Sequence, residues 1–304
     1  MLTHFFFKKP VGGNYLQLLR IGTGSVLLFA VLELWPDFDA LYGPDGVLPH
    51  SLVMEIQSAV GLSYPTILQE IHSVTAWPYA VLTHGTVTLY AILCILLAFA
   101  RRLHRIVAAA LLLLHSSLFT VQPLYSYGFD FLGSVALFYC LLAPRRPSSS
   151  WARPWLRVLQ LHLCLIYFFS GAGKALGHTW RNGAALYKAL GVPAMPPLLP
   201  LDTALPTLGE YPFAFAIGGW AVIILELGYA AGIWWRRTYS LFLYGAISLH
   251  AAIALLLGLY HFSLLMIVFN YCAFWTDPPA QYGNRQDGTP EAAKSTSTGY
   301  RPVM

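Results

Sequence analysis

The sequence predicts an all-α integral membrane protein, a bundle of about eight transmembrane helices, and three observations carry that reading. Of 304 residues, 57% are hydrophobic and only 10% charged, whereas a soluble domain carries roughly 25% charged residues. Apolar runs approaching the roughly 20 residues that span a bilayer recur along most of the chain. Lysine and arginine gather in clusters between those runs. The runs are continuous rather than alternating, so helices are predicted and not barrel strands. These are the two structures that satisfy the backbone within hydrocarbon.

The first span is predicted at 15–35, behind Lys8 and Lys9. Its length, the lack of a small-residue cleavage pattern and the presence of Arg20 argue against a cleavable signal peptide. Further spans are predicted at 77–100, 105–124, 128–144, 154–177, 211–235, 237–258 and 260–276. Only Gly258-Leu259-Tyr260-His261 separates the last two. The loop at 36–76 holds Asp37, Asp39, Asp45, Glu55 and Glu70, with no lysine or arginine. It carries a turn-rich stretch, Tyr42 to Pro49, and then a segment suited to a helix lying on the membrane. A second long loop, 178–210, is rich in proline: Pro193, Pro196, Pro197, Pro200 and Pro206. Residues 1–276 are read as one transmembrane domain and 277–304 as a polar, disordered cytoplasmic tail. No internal repeat is apparent.

Charge orients the map. Arg101, Arg102 and Arg105 follow the second span, Arg145, Arg146, Arg153 and Arg157 the fourth, and Arg236 and Arg237 the sixth. With eight spans these clusters share one face with Lys8 and Lys9. The positive-inside rule makes that face cytoplasmic, with both termini on it and the protein in the cytoplasmic (inner) membrane. The net charge of +5 is thereby explained by the bilayer as partner rather than by nucleic acid. Cys94, Cys140, Cys164 and Cys272 fall within spans and read as small apolar core residues. No HExxH or CxxC pair occurs, so no metal site is predicted, and a haem between two transmembrane histidines is disfavoured.

Ionisable groups inside spans are costly and are functional hypotheses. They are Arg20, Glu33, His84, His115, Asp130, His162, Lys174, Glu226 and His250. At about 1.5 Å of rise per residue, Lys174, His250, Asp130 and Glu33 share an outer layer. Gln160, Tyr167 and Lys174 repeat every seven residues and share one helix face. Lys174 either snorkels to the interface or turns inward. His84 and His115 read as hydrogen-bonded core histidines. Arg20 and Glu226 are either an internal pair or two independent packing groups, and Asp130 either caps its helix or acts chemically. Gly22/Gly24 and Gly218/Gly219 suit close helix packing.

The fifth span adds a more specific pattern. Its run Tyr167 to Gly183 includes Gly171-Ala172-Gly173-Lys174, then Trp180 and Asn182-Gly183. With Leu225-Glu226-Leu227, Ser248-Leu249-His250, Gly258 to Ser263, Leu19-Arg20-Ile21-Gly22 and Tyr42 to Pro49, it resembles the horizontally transferred transmembrane (HTTM) domain. That is the membrane domain of vitamin K-dependent gamma-carboxylase, a lyase, and of its bacterial relatives. The motifs span most of 15–276. The resemblance implies a reduced quinone of the vitamin K type as cofactor, an outward-facing site, Lys174 as base and His250 as an oxyanion stabiliser. Tyr167, His162, Asp130, Glu226 and Trp180 are the candidate substrate-binding residues. Gly173 stands where the carboxylase has a second lysine, and Gly128-Phe129-Asp130 where it has an asparagine-histidine feature. No large lumenal region follows residue 276. A separate soluble partner would then handle the substrate, or the chain would be a non-catalytic factor in maturation or export of a secreted peptide. A transporter is disfavoured because paired interrupted helices are lacking.

Overall fold

The computed structural model describes residues 2–7, 15–57, 63–120, 126–144, 149–193, 195–201 and 203–276. Lys8, Lys9, Arg145, Arg146, the end of the third predicted span and the tail 277–304 lie outside the described residues. The described residues are helical throughout their regular structure, as the sequence predicts. In order they are α1 (Leu2–Phe7), α2 (Tyr15–Leu34), α3 (Phe38–Tyr42), α4 (His50–Gln57), α5 (Tyr64–Thr75), α6 (Tyr79–Phe99), α7 (His104–His115) and α8 (Gly128–Leu142). Then follow α9 (Ala152–Leu176), α10 (His178–Arg181), α11 (Ala184–Gly191), α12 (Leu205–Gly209), α13 (Pro212–Gly232), α14 (Arg236–Leu257) and α15 (Tyr260–Asn270). A π-helical turn extends α7 through Thr120 and another extends α15 through Trp275.

Five segments are long and apolar enough to cross a membrane: Tyr15–Tyr42, α6, α9, α13 and α14. Three more apolar helices, His104–Phe119, α8 and Tyr260–Trp275, are shorter. At 15 residues, α8 rises about 22 Å, less than the ~30 Å of a hydrocarbon core. Large apolar side chains stand exposed along these helices, among them Phe99, Ile106, Leu113, Phe169, Ile217, Ile224 and Leu241. A water-facing surface would not tolerate them in such number, and lipid solvates them without cost. Length, composition and this outer surface point to a bilayer environment.

The pairs α9–α13, α2–α6, α7–α8 and α14–α15 form the framework, with α15 also packed on α2. One end of the bundle gathers the basic turns. There Arg101 Nη2 donates to Gln17 Oε1 (3.1 Å), Arg105 Nη2 to the Ala143 carbonyl (2.9 Å) and Tyr15 Oη to the Ala152 carbonyl (2.7 Å). The starts of α2 and α9 and the ends of α6 and α8 therefore lie side by side. At the opposite end, α10 and α11 lie against the beginning of α13.

The turn between α14 and α15 rests on Gly258, whose φ of +70° is left-handed. A Cβ there would lie 2.5 Å from the Met195 carbonyl oxygen. The proline-rich loop is stitched to this turn by Leu199 N–H donating to the Leu255 carbonyl (3.0 Å) and Tyr260 Oη to the Pro196 carbonyl (2.7 Å). Gly258→Ala should therefore lower the thermal unfolding midpoint in detergent, by the equivalent of roughly 1–2 kcal/mol from the backbone conformation alone. An unchanged midpoint would show that the turn does not hold this geometry.

Candidate functional site

On α9 every seventh residue of one face, from Gln160 through Tyr167 to Lys174, is polar and turned inward. Gln160 and Tyr167 are buried, and Lys174 follows near the helix end. Gln160 Nε2 donates to the Ala273 carbonyl (2.6 Å), tying this face to the chain just after α15. The facing helix α13 runs antiparallel, so its residues are met in reverse order: Glu226 opposite Lys174, then Tyr229 opposite Tyr167. The close approach is permitted by Gly171, where a Cβ would lie 2.8 Å from the Leu227 nitrogen and 3.0 Å from Glu226 Cβ. Gly24 makes a similar approach to the Cys94 carbonyl and Gly219 to that of Trp180.

Two hydrogen-bonded groups result. In the first, Lys174 Nζ lies 2.8 Å from Glu226 Oε2, 3.0 Å from Oε1 and 2.6 Å from Ser170 Oγ, one helical turn back. The ammonium also sits 5.1 Å from the centre of the Trp180 ring on α10. The side chains of Lys174 and Glu226 are only 19% and 8% exposed. Lys174 thus turns inward to a carboxylate instead of snorkelling. In the second group, Tyr167 Oη lies 2.9 Å from His250 Nε2 on α14. Asn270 Nδ2, at the end of α15, donates to Tyr167 Oη (2.8 Å) and to the Met266 carbonyl (2.8 Å), while Tyr229 Oη donates to Asn270 Oδ1 (2.7 Å). His250 is buried and its Nδ1 has no hydrogen-bond partner among the described residues. The two groups are neighbours: Tyr167 lies two helical turns from Lys174 on α9, and Tyr229 one turn from Glu226 on α13.

Lys174, His250, Tyr167, Glu226 and Trp180 are thereby brought together. Asp130 and His162 are elsewhere. Asp130 Oδ2 accepts the Tyr127 backbone N–H (2.7 Å), so from the third position of α8 it closes the capping box at the helix start. His162 faces a groove of about 320 Å³ between α7, α8 and α9, with its Nδ1 3.1 Å from Tyr139 Oη. Glu33 meets His261 at 3.0 Å. Arg20 is buried without pairing to Glu226, and its Nε has no hydrogen-bond partner among the described residues. His115 is a hydrogen-bonded core histidine, between Tyr90 Oη (2.7 Å) and the Asp130 carbonyl (3.0 Å). His84 is not: it is exposed on the outer face of α6, in a shallow groove with Gly85 and Thr88 that is lined by α6 alone among the described residues.

Sequence reading missed Ser170, Tyr229 and Asn270. Ser170 and Tyr229 stand four and three residues from Lys174 and Glu226, spacings that put side chains on one helix face. Asn270 is an uncharged amide in an apolar run, and a search for charges and imidazoles passes over it. The four cysteines are buried and free. Among the described residues, no three His, Cys, Asp or Glu side chains are grouped as metal ligands.

The arrangement offers an ammonium–carboxylate pair for proton exchange and, beside it, an imidazole oriented by a tyrosine and an amide. No family model, curated protein or solved structure matches the chain.

Glu226→Gln leaves the Lys174 ammonium without its counter-charge, a change that costs about 3–5 kcal/mol at buried pairs. It should lower the unfolding midpoint markedly. Lys174→Met combined with Glu226→Leu should recover most of that loss, and failure of the double variant to do so would argue against an internal ion pair.

Proposed function

We propose that this chain is an eight-span inner-membrane protein of the HTTM kind. Both termini are cytoplasmic, and it acts as an enzyme on a quinone or another apolar substrate bearing oxygen. The observation that carries the reading is the meeting of Lys174, Glu226, Tyr167 and His250, from three separate helices, beneath Trp180. A membrane interior does not gather an ion pair and an imidazole without a return, because each group is expensive there.

The three shorter helices complete eight crossings with modest local thinning of the bilayer. The common end shared by Arg101, Arg105 and the start of α9 suits the cytoplasmic side, which puts Lys174 toward the outer leaflet. Cysteine-labelling from outside should then reach Asp45→Cys but not Arg102→Cys, and the reverse pattern would invert the topology.

The chain's residues divide the chemical work. Proton transfer from Lys174 to Glu226 leaves a neutral amine able to take a proton from a substrate hydroxyl. An imidazole N–H at His250 is placed to hold the oxygen that becomes negative. A reduced vitamin K-type quinone would supply the redox-active oxygens, and the unpartnered His250 Nδ1 fits a ligand of that oxygen-bearing class. Extraction of the purified protein, with mass spectrometry of the extract, should yield a stoichiometric quinone. The Lys174→Met, Glu226→Leu double variant should fold and lose both quinone and turnover. Full turnover in a folded variant lacking Lys174 would sink the enzymatic reading.

A second reading is a non-catalytic factor that helps a secreted peptide mature or leave the cell. It is favoured by the exposed Val192, Leu198 and Leu199 on the loop above the site, an apolar surface for a peptide. A secreted peptide or soluble protein co-purifying in place of a quinone, and lost when these three residues are made polar, would select it.

A further inference from the structure

The hydrogen bonds around Tyr167 have a direction, and it runs one way. Asn270 is the fixed point. The Met266 carbonyl, 2.8 Å from Nδ2, can only accept, so the amide nitrogen must face it. The Asn270 oxygen is then the acceptor for Tyr229 Oη at 2.7 Å. The second Nδ2 hydrogen goes to Tyr167 Oη at 2.8 Å. A phenol oxygen that already accepts from Asn270 retains its own hydrogen to give, and the remaining partner is His250 Nε2 at 2.9 Å. His250 Nε2 is therefore an acceptor. A neutral imidazole that accepts at Nε2 carries its proton on Nδ1. That atom is buried and has no partner among the described residues.

We infer that Asn270 is a positioning residue: through Tyr167 it fixes His250 as an Nδ1–H donor, and the site takes ligands that present a hydrogen-bond acceptor oxygen, a carbonyl or an oxyanion, to that atom. The inference deepens the proposed function and rests on it for the existence of a ligand at this site. The tautomer itself does not rest on it. A buried donor without an acceptor is costly, and a chain of buried bonds that enforces that state gives a ligand oxygen a recognisable place. Asn270 also stands where α15 passes into its terminal π-helical turn, a local geometry frequent at functional sites.

The test is nitrogen NMR of the whole protein in lipid bilayers, with ring-labelled histidine and His250 assigned by difference from His250→Gln. Ligand-free wild-type protein should show His250 neutral and protonated on Nδ1. Tyr167→Phe removes the donor to Nε2, and Asn270→Leu removes the bond that orients Tyr167. Each should convert His250 to a mixture of tautomers while the other histidine signals stay in place. A wild-type His250 protonated on Nε2 or on both nitrogens overturns the inference. So does an Nδ1–H state unchanged in both variants.

Ligand class is read separately with two probes of one shape. 1,4-Naphthoquinone, which only accepts at its oxygens, should bind wild type at least about tenfold more tightly than 1,4-diaminonaphthalene, the worth of roughly one net hydrogen bond. Asn270→Leu should erase that preference. Equal affinities in wild type overturn the assignment of ligand class. A correct tautomer with a purified protein that carries no quinone counts instead against the proposed function, so the two failures are told apart.

Discussion

The close antiparallel approach of α9 and α13 at Gly171 is the constraint on which the rest of the interior depends. A lysine near the end of a membrane helix ordinarily sends its amine outward, since the flexible stem reaches water at little cost. Here the backbone distance at Gly171 brings Glu226 within 2.8 Å of Lys174 Nζ, and the ammonium stays inside. Once that register is set, Tyr229 must fall beside Tyr167, whose ring centres are 4.1 Å apart. Through Tyr167 the same register reaches α14 and α15. One small residue thus aligns two polar groups that would each be unfavourable alone.

The ends of the bundle differ in kind. At one, guanidiniums donate to a neighbouring glutamine and to a helix-end carbonyl, and α1 packs on α9. The other is built up. There α10 and α11 fold back on α13, Trp180 covers Lys174, and the proline-rich loop runs across the α14–α15 turn. Polar groups in the bundle need shielding from lipid and from water alike, and this layer supplies it on the side where Lys174 lies. Shallow grooves at His84 and His162 interrupt the exposed apolar sides of the described helices.

Much of the fold was legible because its rules are local. Continuous apolar runs name helices, and the seven-residue repeat Gln160, Tyr167, Lys174 identified the inward face of α9 before any partner was known. Depth was a weaker guide. It grouped Asp130 and Glu33 with Lys174 and His250, yet helices at equal depth point their side chains in different directions. Asp130 turned to its own helix start and Glu33 to His261. Hydropathy already drew two of the three shorter helices short, at 128–144 and 260–276, but not the third, drawn at 105–124 where the described apolar helix is His104–Phe119. Partner choice was hidden: Glu226 with Lys174, rather than with Arg20, follows from a helix register that no single stretch of sequence contains.

The stitching of the proline-rich loop to the α14–α15 turn has a mechanical consequence. His250 and Asn270 sit on opposite arms of that hairpin, and both are bonded to Tyr167. Sliding one arm along the other would pull them apart, but it must first break the strap from Leu199 and Tyr260 across the hinge. Shear between α14 and α15 is therefore restrained at the strap, whose Leu255 anchor lies five residues beyond His250 on α14. Whatever grips or loosens that strap is felt as tension in the bond network around Tyr167.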